Sequence, residues 1–118
     1  MWKSDDTGNE ELLQTIIDKF ENGNKLHFPE HCPVCKTKNV HLYYNRFSGH
    51  RGGNWVWCSN CKYYAHSYQL IPEWWINCDS IPLENLCHEP TFLEQDKEDI
   101  DIHVNKIVRL VTAIPVNR

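Results

Sequence analysis

The sequence contains no apolar run of the roughly 20 residues that a helix needs to cross a bilayer. Its first residues, Met1 to Asp6, also lack the basic start and apolar stretch of a secretory signal peptide. Without such a signal, the six cysteines favour a reducing compartment over a disulfide framework. We therefore expect a cytoplasmic protein that does not associate with membranes.

Motifs of the common catalytic sites are also missing. The zinc deaminase pattern H-x-E followed by P-C-x-x-C fails because His31 precedes Cys32 and no H-x-E occurs upstream. The sequence has no H-E-x-x-H, and Gly52-Gly53 lies between two predicted strands, whereas a phosphate-binding loop precedes a helix. We expect that the protein is not an enzyme.

What the sequence does contain is two Cys-x-x-Cys pairs, Cys32/Cys35 and Cys58/Cys61, on either side of a glycine-containing turn. Four thiolates brought together this way can close a tetrahedral site around Zn²⁺ and leave no position for a catalytic water. We predict one structural zinc ion. The alternatives are a disulfide pairing and a redox motif, but a redox motif needs a strand-to-helix junction that neither pair has.

Two further cysteines, Cys78 and Cys87, follow a spacing that resembles no metal knuckle. Together with His88 they could contribute to a second metal site, for which another ligand would have to come from elsewhere. We expect both to be buried, reduced thiols.

The chain has 118 residues and a mass of 14.0 kDa, which is room for one domain with a small core. We divide this domain, 1–118, into an N-terminal helix (1–24), a zinc ribbon (25–70), and an aromatic segment with a C-terminal helix (71–118). A structural metal often supplements a core of this size.

Hydrophobic periodicity predicts these elements. Apolar residues recur at helical spacing in 10–20 and again in 100–111, whereas 39–47, 54–58 and 62–70 are typical of strands. A further short strand is expected at Leu26 to Phe28. We predict an α+β fold, with a small three-stranded antiparallel zinc-ribbon sheet flanked by an N-terminal and a C-terminal helix.

Two local patterns precede the C-terminal helix. Trp74 and Trp75 are adjacent and cannot both face one core, so one of them is a candidate binding anchor. Thr91-Phe92-Leu93-Glu94 matches a capping box, in which the threonine and glutamate side chains bond each other's backbone amides. Residues 80–86 are expected to form either a brief helix or an irregular loop.

Charge is unevenly distributed in a chain whose net charge is −4. Residues 25–68 carry six basic side chains and one acidic side chain, whereas residues 79–101 carry eight acidic side chains and one lysine. Such segregation attracts a basic protein, although an acidic surface also serves solubility. The candidate partner-binding residues are Trp74, Trp75, Glu84, Glu89, Glu94, Asp96, Glu98, Asp99 and Asp101.

Nucleic-acid binding is the alternative function, because small ribbon sheets often present basic and aromatic side chains. The candidates for phosphate contacts and base stacking are Arg46, Arg51, Lys62, Tyr43, Trp55, Trp57 and Tyr64. The acidic flanks would weaken this binding, since phosphate attraction supplies most non-specific affinity.

The arrangement of the four cysteines around a hairpin resembles the zinc-ribbon fold group over residues 30–70. The run from Gly52 to Cys61, followed by Ile71-Pro72-Glu73-Trp74-Trp75, resembles small bacterial immunity proteins of polymorphic toxin systems. That resemblance implies an inhibitor that binds one cognate toxin domain and blocks its active site or substrate surface. The expected function is a zinc-stabilised protein-binding module of this kind, and the alternative is a nucleic-acid-binding ribbon that acts as a regulatory accessory protein.

Overall fold

The computed structural model of the protein describes residues 2–4, 16, 26–71 and 75–113. Within them, five strands form one sheet in the order β1-β5-β4-β3-β2, and two helices follow. The strands are β1 (Lys3–Ser4), β2 (Glu30–His31), β3 (Lys38–Ser48), β4 (Arg51–Cys58) and β5 (Tyr63–Leu70). The helices are α1 (Thr91–Gln95) and α2 (Lys97–Ala113), after a 3-10 turn at Leu83–Asn85.

The antiparallel part of the sheet has four strands, β2 to β5, so the prediction of three strands is wrong while the α+β class is confirmed. The short strand expected at Leu26 to Phe28 forms instead at β2. At the opposite edge, β1 adds a two-residue parallel pairing to β5. Strands of two residues are too short to show the alternation by which strands are recognised in a sequence.

The predicted N-terminal helix lies outside the described residues except for Ile16. Ile16 is helical and belongs to the buried core. Of the two adjacent tryptophans, Trp74 also lies outside the described residues, whereas Trp75 is described.

Strand β4 lies at the centre of the sheet and is buried on both faces. Trp55 and Trp57 lie opposite Tyr43 and His41 of β3, so the two indoles share one face, as alternation predicts. Val56, between them, belongs to the other face and is fully buried. Every residue of β4 after Arg51 is buried, including the polar Asn54, whose side chain bonds the hydroxyl of Ser67.

Gly52 and Gly53 belong to β4 itself, although the sequence indicated that they lie in the turn between the strands. The turn consists of residues 49–50. A Cβ atom on Gly52 would overlap with the carbonyl oxygen of Asn45. Glycine is therefore required at this position by the close approach of β3.

Helix α2 packs against β3 through the apolar stripe that the sequence predicted. The buried members of the stripe are Ile100, Val104, Ile107 and Val108. Asn105 ties the helix to the segment before β2, since its side chain accepts from the amide of Phe28 at 2.7 Å and donates to the Phe28 carbonyl at 2.9 Å. Among the described residues, no helix has the length and apolar character needed to span a membrane.

The start of α1 does not form the predicted capping box. Pro90 is the N-cap residue, Thr91 is the first residue of the helix, and no side chain caps it. Glu94 instead accepts hydrogen bonds from Trp57 and Ser59 on the sheet side. Partners distant in sequence have thus replaced the local hydrogen bond.

Candidate metal centre

The first knuckle, Cys32 to Cys35, lies between β2 and β3. The amide of Lys36 donates to the Cys32 carbonyl at 2.9 Å and so closes a tight turn. The amides of Val34 and Cys35 point at the Cys32 sulfur, at 3.3 and 3.5 Å. Lys36 has a φ of 66°, which is the left-handed conformation that usually favours glycine.

The second knuckle, Cys58 to Cys61, repeats this geometry between β4 and β5. The amide of Lys62 donates to the Cys58 carbonyl at 3.0 Å, and Lys62 has a φ of 68°. The backbone amides of Asn60 and Cys61 hydrogen-bond the Cys58 sulfur. Each knuckle therefore directs amide groups toward its first cysteine, an arrangement that favours a thiolate at that sulfur.

The two knuckles bring all four sulfurs together. Cys32 Sγ lies 3.7 Å from Cys61 Sγ, and Cys35 Sγ lies 3.6 Å from Cys58 Sγ. All four sulfurs are within 4.8 Å of one another. Tetrahedral coordination with Zn–S bonds of about 2.3 Å places the ligands about 3.8 Å apart. The cluster is thus a zinc-ribbon-like site that fits one metal ion such as zinc, at one end of an antiparallel sheet.

The thiols of the cluster differ in their acidity. Burial raises the pKa of Cys35, but hydrogen bonds from the side chains of Thr37 and Asn60 outweigh this effect and lower it to about 5. Burial raises the pKa of Cys61 to about 12, and the neighbouring Cys58 sulfur acts in the same direction. Because thiolates at these distances repel one another, all four are ionised together only when a cation lies among them.

A chain of hydrogen bonds leaves the second knuckle through Ser59. Ser59 Oγ lies 2.9 Å from Nε2 of His41 and donates to Oε1 of Glu94 at 2.7 Å. Nδ1 of His41 lies 2.8 and 2.9 Å from the two carboxylate oxygens of Asp101. We call Ser59, His41, Glu94 and Asp101 the Ser59 network. It connects the knuckle to β3, α1 and α2.

Glu94 is the most connected member of the Ser59 network. Besides the Ser59 hydroxyl, its carboxylate accepts from Trp57 Nε1 at 3.0 Å and from Lys97 Nζ at 3.0 Å. Burial raises the pKa of Glu94, but the hydrogen bonds from Ser59, Lys97 and Trp57 outweigh burial and lower it. An ionised carboxylate with these donors holds α1 against the sheet.

Asp101, His41 and Ser59 place a carboxylate, an imidazole and a hydroxyl in contact one after another. This is the connectivity of a serine nucleophile site. The hydrogen bonds of Ser59 differ from those of such a site. Its hydroxyl donates to Glu94, and its amide donates to the carbonyl of Asn39 at 2.9 Å. A nucleophilic serine would pass its proton to the histidine, and nearby amides would bind the oxyanion. These hydrogen bonds therefore favour a structural role for the network.

The candidate partner-binding residues differ in their accessibility. The exposed acids are Glu84, Glu89, Glu98 and Asp99, and Asp96 is half-buried. Glu94 and Asp101 instead have internal partners in the Ser59 network. Trp75 is only 2 % exposed, and its Nε1 donates to the side chain of Asn77 at 2.9 Å. The anchor proposed at Trp74 lies outside the described residues.

The aromatic side chains considered for base stacking are buried. They are Tyr43, Trp55, Trp57 and Tyr64. Of the basic candidates, Arg46 donates to the carbonyls of Gly49 and Trp75, while Arg51 is exposed. Buried rings cannot stack on a nucleobase, so this residue set gives little support to single-strand binding.

The two remaining cysteines are free thiols that lie closer to the surface than predicted. Cys78 is half-buried and Cys87 is exposed, so the expectation that both are buried is wrong. Nδ1 of His88 lies 2.9 Å from the hydroxyl of Tyr64. In the described part of the chain, the four-cysteine cluster is the one group of ligand-type side chains close enough to hold a metal.

Sequence reasoning missed His41 as part of this site. The alternation of β3 places His41 on the same face as Tyr43, and this pattern could have indicated an inward-facing histidine. Its carboxylate partner is 60 residues away in the sequence, so no local pattern could have shown the pair.

No family model matches the chain, and neither the curated proteins nor the solved structures contain a match. Function is therefore inferred from the geometry of the metal centre and from the distribution of surface charge.

Proposed function

We propose that the four-cysteine cluster holds one structural Zn²⁺ with Cys32, Cys35, Cys58 and Cys61 as its ligands. The sulfur spacings match a tetrahedral sulfur site, and the amides of both knuckles point at ligand sulfurs. With four protein ligands the ion has no open position, so its role is to hold the two knuckles together.

Metal analysis of the purified protein tests this proposal. We expect about one zinc per chain, and loss of zinc from Cys35→Ser because that variant removes a ligand. Cys87→Ser, which changes an exposed thiol outside the cluster, is the matched control and should keep its zinc. Zinc bound equally well by both variants would contradict the ligand set.

We further propose that the molecule is a protein-binding module whose partner is basic. The observation that carries this proposal is an acidic surface with exposed apolar side chains on and beside α2. Glu98 and Asp99 are exposed there, and Ile102, one turn further along, is 60 % exposed. His103 Nε2 lies 2.6 Å from the carbonyl of Ile76, another exposed isoleucine, which adjoins the same helix. We call Glu98, Asp99, Ile102 and Ile76 the acidic face.

Apolar side chains bordered by acids suit a protein partner better than a nucleic acid. The apolar groups supply contact area, while the acids steer association with a positively charged surface. Phosphates would be repelled by the same acids. Together with the resemblance to immunity proteins, this favours a cognate inhibitor that binds a basic toxin domain.

The acidic face can be tested with a toxin domain encoded next to the gene for this chain. We expect the purified pair to associate more slowly with added salt, and the double variant Glu98→Lys/Asp99→Lys to associate at least about tenfold more slowly at low salt. Lys38→Glu, which changes an exposed charge on the sheet, is the control and should not slow association. An unchanged rate in the double variant would contradict this face.

A low-salt gel shift with single-stranded DNA and RNA tests the alternative. Binding that is lost in Arg51→Glu and unaffected by the acidic-face variant would favour the nucleic-acid-binding ribbon and count against the protein-binding proposal.

A further inference from the structure

We infer that the Ser59 network is an outer hydrogen-bond shell of the metal centre, through which metal binding and the docking of α1 and α2 strengthen each other. This inference rests on the proposed zinc site and goes beyond it. It assigns a role toward the metal to Glu94 and Asp101, which lie on helices that carry no cysteine.

Ser59 is the residue through which the network contacts the second knuckle. It stands between the ligands Cys58 and Cys61, and its amide is held by the Asn39 carbonyl at 2.9 Å. Its hydroxyl oxygen lies between His41 and Glu94, at 2.9 and 2.7 Å. Ser59 is thus held through its backbone amide and through its hydroxyl, which keeps the sulfurs on either side at the spacing that a metal needs.

Two members of the network, His41 and Asp101, are buried. His41 is 3 % exposed and Asp101 is 8 % exposed. Within the described residues, no buried side-chain nitrogen or oxygen lacks a hydrogen-bond partner. If the second knuckle moved, His41 would lose its contact with Ser59, and a buried polar atom left without a partner is destabilising. The closed knuckle and the docked helices therefore favour the same arrangement.

Two lysine side chains lie near the carboxylate of Glu94. Lys97 Nζ lies 3.0 Å from Oε2 of Glu94 and 3.5 Å from Ser59 Oγ, and Lys62 Nζ lies 4.0 Å from the same carboxylate oxygen. Lys62 directly follows the ligand Cys61. Glu94 thus holds one cation from α2 and another from the end of the knuckle, which ties the knuckle to both helices.

Coupling of this kind is reciprocal, because a metal that favours the docked helices must in turn bind more tightly when they are docked. Loss of an outer-shell hydrogen bond typically weakens metal binding by about 10- to 100-fold. We therefore expect weaker zinc binding in variants of residues far from the sulfurs in sequence.

The test measures the zinc dissociation constant by competition with a chromophoric chelator. We expect it to rise about 10- to 100-fold in Ser59→Ala and in Glu94→Gln. The double variant should lose less affinity than the two single variants combined, since Ser59→Ala removes the hydrogen bond that Glu94→Gln weakens by removing the carboxylate charge. Ser59→Thr keeps the hydroxyl and should restore most of the affinity.

Two controls separate this role from general stability. Glu98→Gln removes an exposed charge from α2, the helix that carries Asp101, and should leave zinc affinity unchanged. Val104→Ala weakens the core packing of α2 without touching the network. Under conditions where it remains folded, it should lose much less zinc affinity than Ser59→Ala. In the cobalt-substituted protein, Ser59→Ala should shift the visible absorption bands, whereas Val104→Ala should not.

The outcomes distinguish the inference from the proposal on which it rests. Wild-type protein that binds no zinc would overturn the proposed metal site. Wild-type protein that binds zinc, with unchanged affinity in Ser59→Ala and Glu94→Gln, would overturn the inference alone. Equal losses in Ser59→Ala and Val104→Ala would also overturn it, because affinity would then follow overall stability.

Discussion

At the scale of single residues, His66 is a histidine whose pKa is lowered by folding. Its ring stacks on Trp55 with the centroids 4.3 Å apart, and its Nδ1 donates to the carbonyl of Asn54 at 2.8 Å. Burial has the largest effect on its pKa and lowers it. The hydrogen bond to the Asn54 carbonyl raises the pKa, and the nearby His88 lowers it further.

This lowered pKa predicts a pH dependence of stability. The unfolded chain binds a proton at His66 below about pH 6.5, before the folded chain does, so stability is lost as the pH falls from there through the folded pKa. We expect His66→Gln to flatten the stability profile between pH 7 and 5.5, measured by urea unfolding with zinc in excess. His50→Gln, at an exposed position in the turn, should leave the slope unchanged. An unaltered profile in His66→Gln would contradict the assignment.

The four-cysteine cluster could be predicted at this scale, whereas the contacts of Glu94 and Asp101 could not. The two Cys-x-x-Cys pairs, with a hairpin between them, form a pattern that can be recognised from spacing in the sequence. Glu94 and Asp101 stand in a run of acids, and the sequence gives no sign that these two point inward. Their partners Ser59 and His41 lie 35 and 60 residues away. Tertiary contacts at such separations determine which acids of the run point inward, and the run itself does not show this.

At the scale of elements, Gly52 is the position of strand β4 where an added side chain should destabilise the fold most. A Cβ atom there would overlap with the Asn45 carbonyl oxygen and lie 2.7 Å from Cγ1 of Ile71. We expect Gly52→Ala to lower the free energy of unfolding by about 3 kcal/mol or more, because the contact is with backbone that cannot give way. Gly49→Ala has open space but a φ of 55°, and should cost only about 1 kcal/mol. Urea denaturation would measure both, and equal losses would contradict the contact argument.

Helix α2 offers a matched pair of isoleucines. Ile100 is fully buried, whereas Ile102 is 60 % exposed. We expect Ile100→Ala to lower the free energy of unfolding by about 2–5 kcal/mol, since it leaves a cavity, and Ile102→Ala to change it by no more than about 0.5 kcal/mol. Denaturant unfolding of the two variants would show the difference. A large loss in Ile102→Ala would mean that this side chain is packed against the protein and is not free for a partner.

The long helix α2 and the long strands could be predicted from the sequence, and the two-residue strands could not. β3, β4, β5 and α2 are long enough for a hydrophobic period to repeat, and the sequence predicted all four. β1 and β2 have two residues each, and their pairing depends on neighbours already in the sheet. The prediction of a capping box was wrong for a related reason. The side chain of Glu94 accepts hydrogen bonds from Trp57 and Ser59 on the sheet side and not from the local amide.

At the scale of the whole molecule, the metal should contribute to overall stability. A ligand that binds only the folded chain stabilises it, and each tenfold rise in free zinc above the dissociation constant adds about 1.4 kcal/mol. We therefore expect the melting temperature to rise steadily with free zinc in metal-buffered solutions and to fall on chelation. Cys87→Ser should show the same dependence as the wild type. A melting temperature that does not respond to zinc would contradict a structural metal.

How the C-terminal half folds onto the sheet could not be predicted. The indole of Trp55 donates to the carbonyl of Cys87, and that of Trp57 donates to Glu94. These bonds join segments more than 30 residues apart, and the residues between them include the irregular stretch at 75–90. Alternation places both indoles on one face, but nothing in the sequence tells which segment covers that face.

The register of the β3–β4 hairpin determines the order in which the metal centre can assemble. Val40 lies opposite Cys58, and the amide of Ser59 donates to the carbonyl of Asn39. The strand pairing that forms the hairpin therefore also places the two knuckles side by side. In kinetic terms, a chain with an unformed hairpin offers a metal only two sulfurs at a time. We expect four-sulfur capture to follow hairpin formation, so that the rate of zinc uptake reports how fast this hairpin folds.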